Sequence, residues 1–91
     1  MAVYVDCARA PYRGMFMSHM VADTSEELLA MADRIGVARK WIQKAGTSHE
    51  HFDICQSKRR LALDAGAVEV TRYQRAQFLR ERREKVNVCK A

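Results

Sequence analysis

The 91-residue chain has one proline, Pro11, four glycines and a single tryptophan. It has no low-complexity tract, which excludes collagen-like, mucin-like and linker-type chains. Its three cysteines, Cys7, Cys55 and Cys89, are odd in number and widely spaced. With no C-x-x-C pair they argue against a disulfide scaffold and give no zinc signature, and are expected to be free thiols. The apolar runs are far too short to span a bilayer, so no membrane role is expected. Residues Met1 to Asp6 lack a basic segment and a long apolar one. No secretory leader is therefore expected, and the protein is read as cytoplasmic. No glycine-rich P-loop precedes any candidate helix.

What is present is an ordinary globular composition, 48% apolar and 30% charged. A chain of this length makes one domain, here residues 1–91 with a short tail over 85–91, and can bury only a modest core. The net charge of +5 is uneven. Residues 1–45 hold six Lys/Arg against five Asp/Glu, residues 46–91 ten against six. A basic C-terminal half suits anionic partners such as nucleotides, nucleic acid or acidic protein, or is a solvated helix surface.

Val3-Tyr4-Val5 reads as a buried strand closed by Asp6. Residues 7–14 form a loop around Pro11 and Gly14. Met15 to Ala22 is a second strand, with Met15, Met17, His19 and Val21 on one face, so His19 interrupts an apolar row. The loop between the two strands permits a hairpin or a parallel crossover. Thr24 and Glu27 form a capping box that opens a helix carrying Leu28, Met31, Ala32 and Ile35, and Gly36 ends it. Residues 37–43 suggest a third strand centred on Trp41 and Ile42. Asp53 is positioned to cap a second helix, with Gln56 completing its box, and Gly66 to end it. Residues 67–70 make a fourth strand. Thr71, with Gln74, starts a last helix marked by Tyr73, Ala76 and Leu79. The interval Asp23–Gly36 is echoed by Asp53–Gly66. The expected fold is a single small α/β domain of order β-β-α-β-α-β-α, with about four strands in a mixed or mainly parallel sheet and three helices.

Chemistry concentrates between His49 and Arg60. His49, His51 and Asp53 alternate, which places them on one side of an extended segment, a spacing that suits metal ligation. The flanking residues complete no hydrolytic zinc motif. Further ligands would have to come from Asp23, His19, Cys7 or Cys55, so no metal and no cofactor is expected. Ser57, Lys58, Arg59 and Arg60 follow at a helix start that suits phosphate. Asp6, Arg9 and Arg13 form another group, either ligand-binding or a loop-stiffening ion pair. His19 beside Asp6, Asp23 or Asp53 is a candidate general base, or simply a satisfied core histidine. Tyr12 and Phe52 are candidates to stack a base.

Val3-Tyr4-Val5-Asp6, Ala8-Arg9-x-Pro11, His19 leading into Ala22-Asp23, His51-Phe52-Asp53-Ile54 and Gly66-Ala67 together resemble a small uncharacterised family of bacterial and phage proteins, a domain of unknown function. The likeness runs through about residues 3–73. It implies no activity, but it singles out Asp6, Arg9, His19, His51 and Asp53 and favours His51 over His49 as the functional histidine.

These readings converge on a protein that binds a phosphorylated small molecule or nucleic acid. Arg9, Arg13, Lys58, Arg59 and Ser57 would hold phosphate, Tyr12 or Phe52 would face a base, and Asp23 would lie at the same rim. The alternative is a small hydrolase or nuclease in which His19 and His51 move protons, oriented by Asp6 and Asp53. A third reading is an accessory protein that acts through a protein partner or homo-oligomerises through its last helix and the Val86/Val88 tail.

Overall fold

The computed structural model describes residues 2–71, 74–78 and 80. The fold is α/β, with a five-stranded mixed sheet. Strand β1 is Val3–Val5, β2 Ala10–Tyr12, β3 Met15–Ala22, β4 Phe52–Cys55 and β5 Val68–Glu69. Helix α1 spans Ser25–Ile35 and α2 Gln56–Asp64; residues 74–78 form a third helical segment. No helix among the described residues is long and apolar enough to cross a membrane.

The eight-residue β3 is the spine. One of its edges pairs antiparallel with β1 (Val3↔Ala22, Val5↔Met20) and then with β2 (Ala10↔Met17, Tyr12↔Met15). Its other edge pairs antiparallel with β4 (Met17↔Cys55, His19↔Asp53, Met20↔Phe52). The first two expected strands are thus antiparallel, with β2 formed inside what reads as a loop. Arg13 (φ 47°) and Gly14 (φ 79°) close a two-residue β2–β3 hairpin in which both residues are left-handed. That geometry matches the twist of the flanking strands. β5 pairs with β1 and makes the parallel ladder (Tyr4↔Val68, Val5↔Glu69). Helix α2 carries the chain from β4 over the sheet to β5.

The two faces of the sheet differ. Val3, Val5, Met20, Ala22, Phe52 and Ile54 turn to the side where α1 and α2 pack, supplying Leu28, Ala32, Ile35 and Ala62 to one core. The alternation places Tyr4, Asp6, Met17, His19, Val21 and Asp53 on the opposite face. Phe78 of the third helix covers part of that face, its ring centroid 5.0 Å from that of Tyr4.

Helix α1 begins and ends as its sequence dictates. The Thr24 hydroxyl accepts from the Glu27 amide at 3.2 Å, and Gly36 takes the left-handed cap conformation, φ 81°. Two other expectations are corrected. Residues 37–43 form no strand centred on Trp41: Arg39–Trp41 is a 3-10 turn, and Trp41 is 63% exposed. The free edge of β3 is taken by β4, so this segment has no ladder to join beyond the Gln43↔His51 bridge. An Arg39–Asp33 ion pair at 2.7 Å ties the turn back to α1. Nor does Asp53 cap α2. Pairing with β3 keeps Phe52–Cys55 extended, so Cys55 stands at the N-cap and the echo of the Asp23–Gly36 interval breaks at its first residue. The Thr71–Gln74 capping box forms, with Gln74 N–H to Thr71 Oγ at 3.0 Å and Thr71 N–H to Gln74 Oε1 at 2.8 Å. Tyr73, Leu79, Val86 and Val88 lie outside the described residues.

The burial pattern sets an expectation for stability. Phe52→Ala empties a fully buried site and should cost about 3–5 kcal/mol. Trp41→Ala should change stability by no more than about 0.5 kcal/mol. Urea unfolding of both variants checks this; equal losses would contradict the assignment of the tryptophan to an exposed turn.

Candidate functional site

The open face of the sheet carries a row of three polar residues on adjacent strands. Asp6 follows directly on β1, His19 lies in β3 and Asp53 in β4. The Asp6 amide donates to the His19 carbonyl at 3.0 Å, and His19 and Asp53 are direct cross-strand partners. His51 precedes Asp53 by two residues and so joins the same side.

Asp6 is fully buried. Its Oδ1 accepts from the amides of Ala8 (3.1 Å) and His19 (2.9 Å), and its Oδ2 from His19 Nδ1–H (2.8 Å). Arg75 Nε lies 2.9 Å from the same Oδ2. Among the described residues that nitrogen makes no hydrogen bond, and the contact is an ion pair. Burial by itself would raise the Asp6 pKa, but the His19 ring and the two amides outweigh it and hold the carboxyl below its ordinary value. Asp6 is therefore an anion at neutral pH. A carboxylate can only accept, so it fixes the proton of neutral His19 on Nδ1 and leaves the lone pair on Nε2.

His51 is fixed in the same sense by different means. Its Nδ1–H donates to the His49 carbonyl at 2.7 Å, and again Nε2 is left facing inwards. The loop that presents this carbonyl is anchored by Glu50, buried at 2% exposure. Glu50 accepts from the Ser25 hydroxyl at 2.5 Å and from the Gly46 amide at 3.0 Å. The two histidine rings lie 5.5 Å apart.

Both Nε2 atoms face one atom, Asp53 Oδ1, at 3.7 Å from His19 and 3.5 Å from His51. Asp53 Oδ2 accepts from Gln43 Nε2 at 2.6 Å, but Oδ1 is shielded from solvent and has no hydrogen-bond partner. Two imidazole lone pairs and a carboxylate oxygen thus meet at one point. Such a point can take up a proton or a cation. The side chains are 28%, 16% and 35% exposed for His19, His51 and Asp53, although Oδ1 itself is shielded.

The sequence model of the family described as "Protein of unknown function (DUF4031)" matches residues 3–82. The chain belongs to the DUF4031 family. No curated protein and no solved structure matches it. The DUF4031 match spans Asp6, His19, His51, Asp53 and Arg75 alike.

Other residues singled out in this DUF4031 chain are placed elsewhere. Arg9 and Arg13 lie on the β2–β3 hairpin, their guanidinium carbons 5.1 Å and 5.3 Å from the ring centroids of Phe16 and Tyr12. Asp23 accepts from the Ala2 amide (2.7 Å) and the Tyr4 hydroxyl (3.2 Å), away from the two histidines. Phe52 lies wholly in the core and offers no ring face to a base. Lys58 reaches the end of α1, where a Cβ on Gly36 would lie 3.1 Å from its Nζ. Arg59 donates to the Asp6 carbonyl at 2.9 Å and pairs with Glu69 at 3.1 Å, so its charge braces the end of β1. Ser57 contacts the Cys55 thiol at 3.2 Å. That contact, helped by the first amides of α2, lowers the Cys55 pKa. The phosphate-binding set read from residues 57–59 is therefore not assembled with the histidines.

Three contributors carried no local signal: Gln43, Glu50 and Arg75. Each acts across 10 or more residues of sequence. The resemblance preferred His51 to His49, and in the fold His49 supplies only its carbonyl.

The two carboxylates of the row should respond in opposite ways to neutralisation. Asp6→Asn leaves Arg75 and His19 without their anion and should destabilise the fold by about 3 kcal/mol. Asp53→Asn removes a charge whose Oδ1 has no donor and should be neutral within about 1 kcal/mol. Urea unfolding measures both; a larger loss at Asp53 would be incompatible with this geometry.

Proposed function

We propose that this DUF4031 protein is a small hydrolase that cleaves phosphodiester bonds, with nucleic-acid strands as the substrate class. The observation that carries the reading is the convergence of His19 Nε2 and His51 Nε2 on Asp53 Oδ1, with both Nδ1 atoms already engaged. Lone pairs held in place before substrate arrives need no reorganisation during the reaction. As water attacks phosphorus, one Nε2 takes its proton; the P–O bond to the leaving oxygen breaks and that oxygen takes the proton from the imidazolium so formed, which returns to the neutral ring. Asp6 does not touch substrate; it holds the His19 ring and its tautomer.

The substrate class is argued from the surface beside the site. Tyr12, Met15 and Met17 share the His19 face of the sheet, and Tyr12 and Met15 are 53% and 44% exposed at the hairpin tip. Arg13 sits against the Tyr12 ring. A stacking ring with an adjacent guanidinium suits an unpaired base and its phosphate. From Met15 to His19 the strand runs about 13 Å at ~3.3 Å per residue, the reach of about two nucleotides. The net charge of +5 favours a polyanion.

Short single-stranded DNA and RNA oligonucleotides and bis-p-nitrophenyl phosphate provide the test. His19→Ala and His51→Ala should each lower turnover at least ~100-fold. Tyr12→Ala and Arg13→Ala should raise KM for oligonucleotides and leave the small ester unaffected. Turnover unchanged in both histidine variants, or absent on every phosphodiester, overturns the reading. Oligonucleotide binding without cleavage would favour a non-catalytic binder of phosphorylated ligands.

A further inference from the structure

We infer that His19, His51 and Asp53 form a binding site for one divalent transition-metal ion of the zinc class, with an open coordination position. This uses the same residues as the hydrolytic reading and excludes its metal-free form, since with an ion bound both Nε2 atoms are ligands and cannot accept a proton; it rests on geometry that binding alone can test. Residue spacing within the chain pointed to His49, His51 and Asp53. The fold replaces His49 with His19, contributed by the neighbouring strand.

The donor atoms of the three residues all lie within 4.8 Å of one another. The two nitrogens stand 3.7 Å and 3.5 Å from Asp53 Oδ1. Around an ion held at ~2.0–2.1 Å, tetrahedral ligands are about 3.3–3.4 Å apart, and cis octahedral ligands about 2.9 Å. The two nitrogen–oxygen separations are within a few tenths of an ångström of a tetrahedral edge, and the nitrogen–nitrogen separation, at most 4.8 Å, closes by a turn of the imidazole rings; an octahedral site would need a larger contraction along every edge. Two imidazoles and one carboxylate favour zinc and its neighbours over magnesium or calcium, which prefer all-oxygen shells.

Each prospective ligand is already oriented by a second group. Asp6 holds His19 Nδ1, the His49 carbonyl holds His51 Nδ1, and Gln43 holds Asp53 Oδ2. Carboxylate–histidine–metal and carbonyl–histidine–metal relays of this form set ring orientation and raise ligand basicity. Asp53 Oδ1 is the atom that most needs a positive partner. It is shielded from water and accepts no hydrogen bond. A cation at the centre would satisfy it and take up both nitrogen lone pairs. Three protein ligands leave a fourth tetrahedral position for water, the arrangement of catalytic rather than structural zinc sites.

The full chain, stripped with chelator and titrated with Zn2+ by calorimetry, should bind one equivalent and gain thermal stability. Co2+ should give the visible spectrum of a tetrahedral nitrogen/oxygen site without a thiolate charge-transfer band. His19→Ala, His51→Ala and Asp53→Asn should each weaken binding at least ~100-fold, and Asp6→Asn, which acts through His19, about 10–100-fold. His49→Ala should bind as the parent does. Asp53→Asn keeps the test decisive should either histidine variant fold poorly. No stoichiometric binding, a thiolate band, or undiminished binding by Asp53→Asn overturns the proposal. Metal binding without turnover upholds the site and removes the hydrolytic reading. Phosphodiester turnover that persists after complete metal removal supports the hydrolytic reading through metal-free histidines, and the site itself stands or falls on the titration.

Discussion

The arrangement of the polar face depends on one buried carboxylate. Asp6 sits at the end of β1 with no access to water, and a bare anion there would cost several kcal/mol. It is stabilised from two sides at once. Two backbone amides and the His19 ring come from its own sheet, and Arg75 comes from the third helical segment. Arg59, reaching from α2 to the Asp6 carbonyl, braces the same point from beneath. Strand, spine and both neighbouring helices are therefore tied to a single residue. The orientation of His19 is a consequence of that electrostatic requirement.

The division of labour between the two faces of the sheet follows from strand geometry. Alternation sends Phe52 and Ile54 into the core and leaves Asp53, between them, on the other side. The same alternation along β3 buries Ser18 and Met20 and turns His19 outwards. A short chain has little core to spare: most of it lies on one face, and on the other only the end near Val21, Tyr4 and Phe78 is apolar, which leaves the rest for polar side chains. Ser18, on the core side, is satisfied by the Ala8 carbonyl (2.7 Å) and Gln56 (3.0 Å), so the polar atom buried there is paired.

Asp53 illustrates the opposite economy. Its Oδ1 is shielded, negatively charged and without a donor, a state that folding alone does not favour. Asp6 is the contrasting case: both of its oxygens have partners, and the strands and the third helical segment are tied to it. Gln43 and Glu50 fix the second oxygen of Asp53 and the loop behind His51, and so limit how far the two Nε2 atoms can drift from their common target.

Local signals were enough for several elements. The Thr24–Glu27 box and Gly36 bound α1, the apolar alternation over residues 15–22 marked β3, and Val3–Val5 and residues 67–70 marked β1 and β5. The same alternation identified His19 as out of place in an apolar row, and the His-Phe-Asp segment as chemically dense. What the sequence by itself determined was thus the α/β class, the bounds of its first helix and the residues worth watching. Only the tertiary structure decided that Phe52–Cys55 is a strand and not a helix cap, because pairing with β3 outweighs the modest stabilisation of about 1 kcal/mol that an N-cap offers. It alone decided that His19, from the neighbouring strand, lies beside His51 and Asp53 while His49 offers its carbonyl, and that Arg59 and Arg75 meet at the Asp6 end of β1. Such partnerships cross tens of residues, and a pattern read along the chain registers only what lies within a few positions of itself.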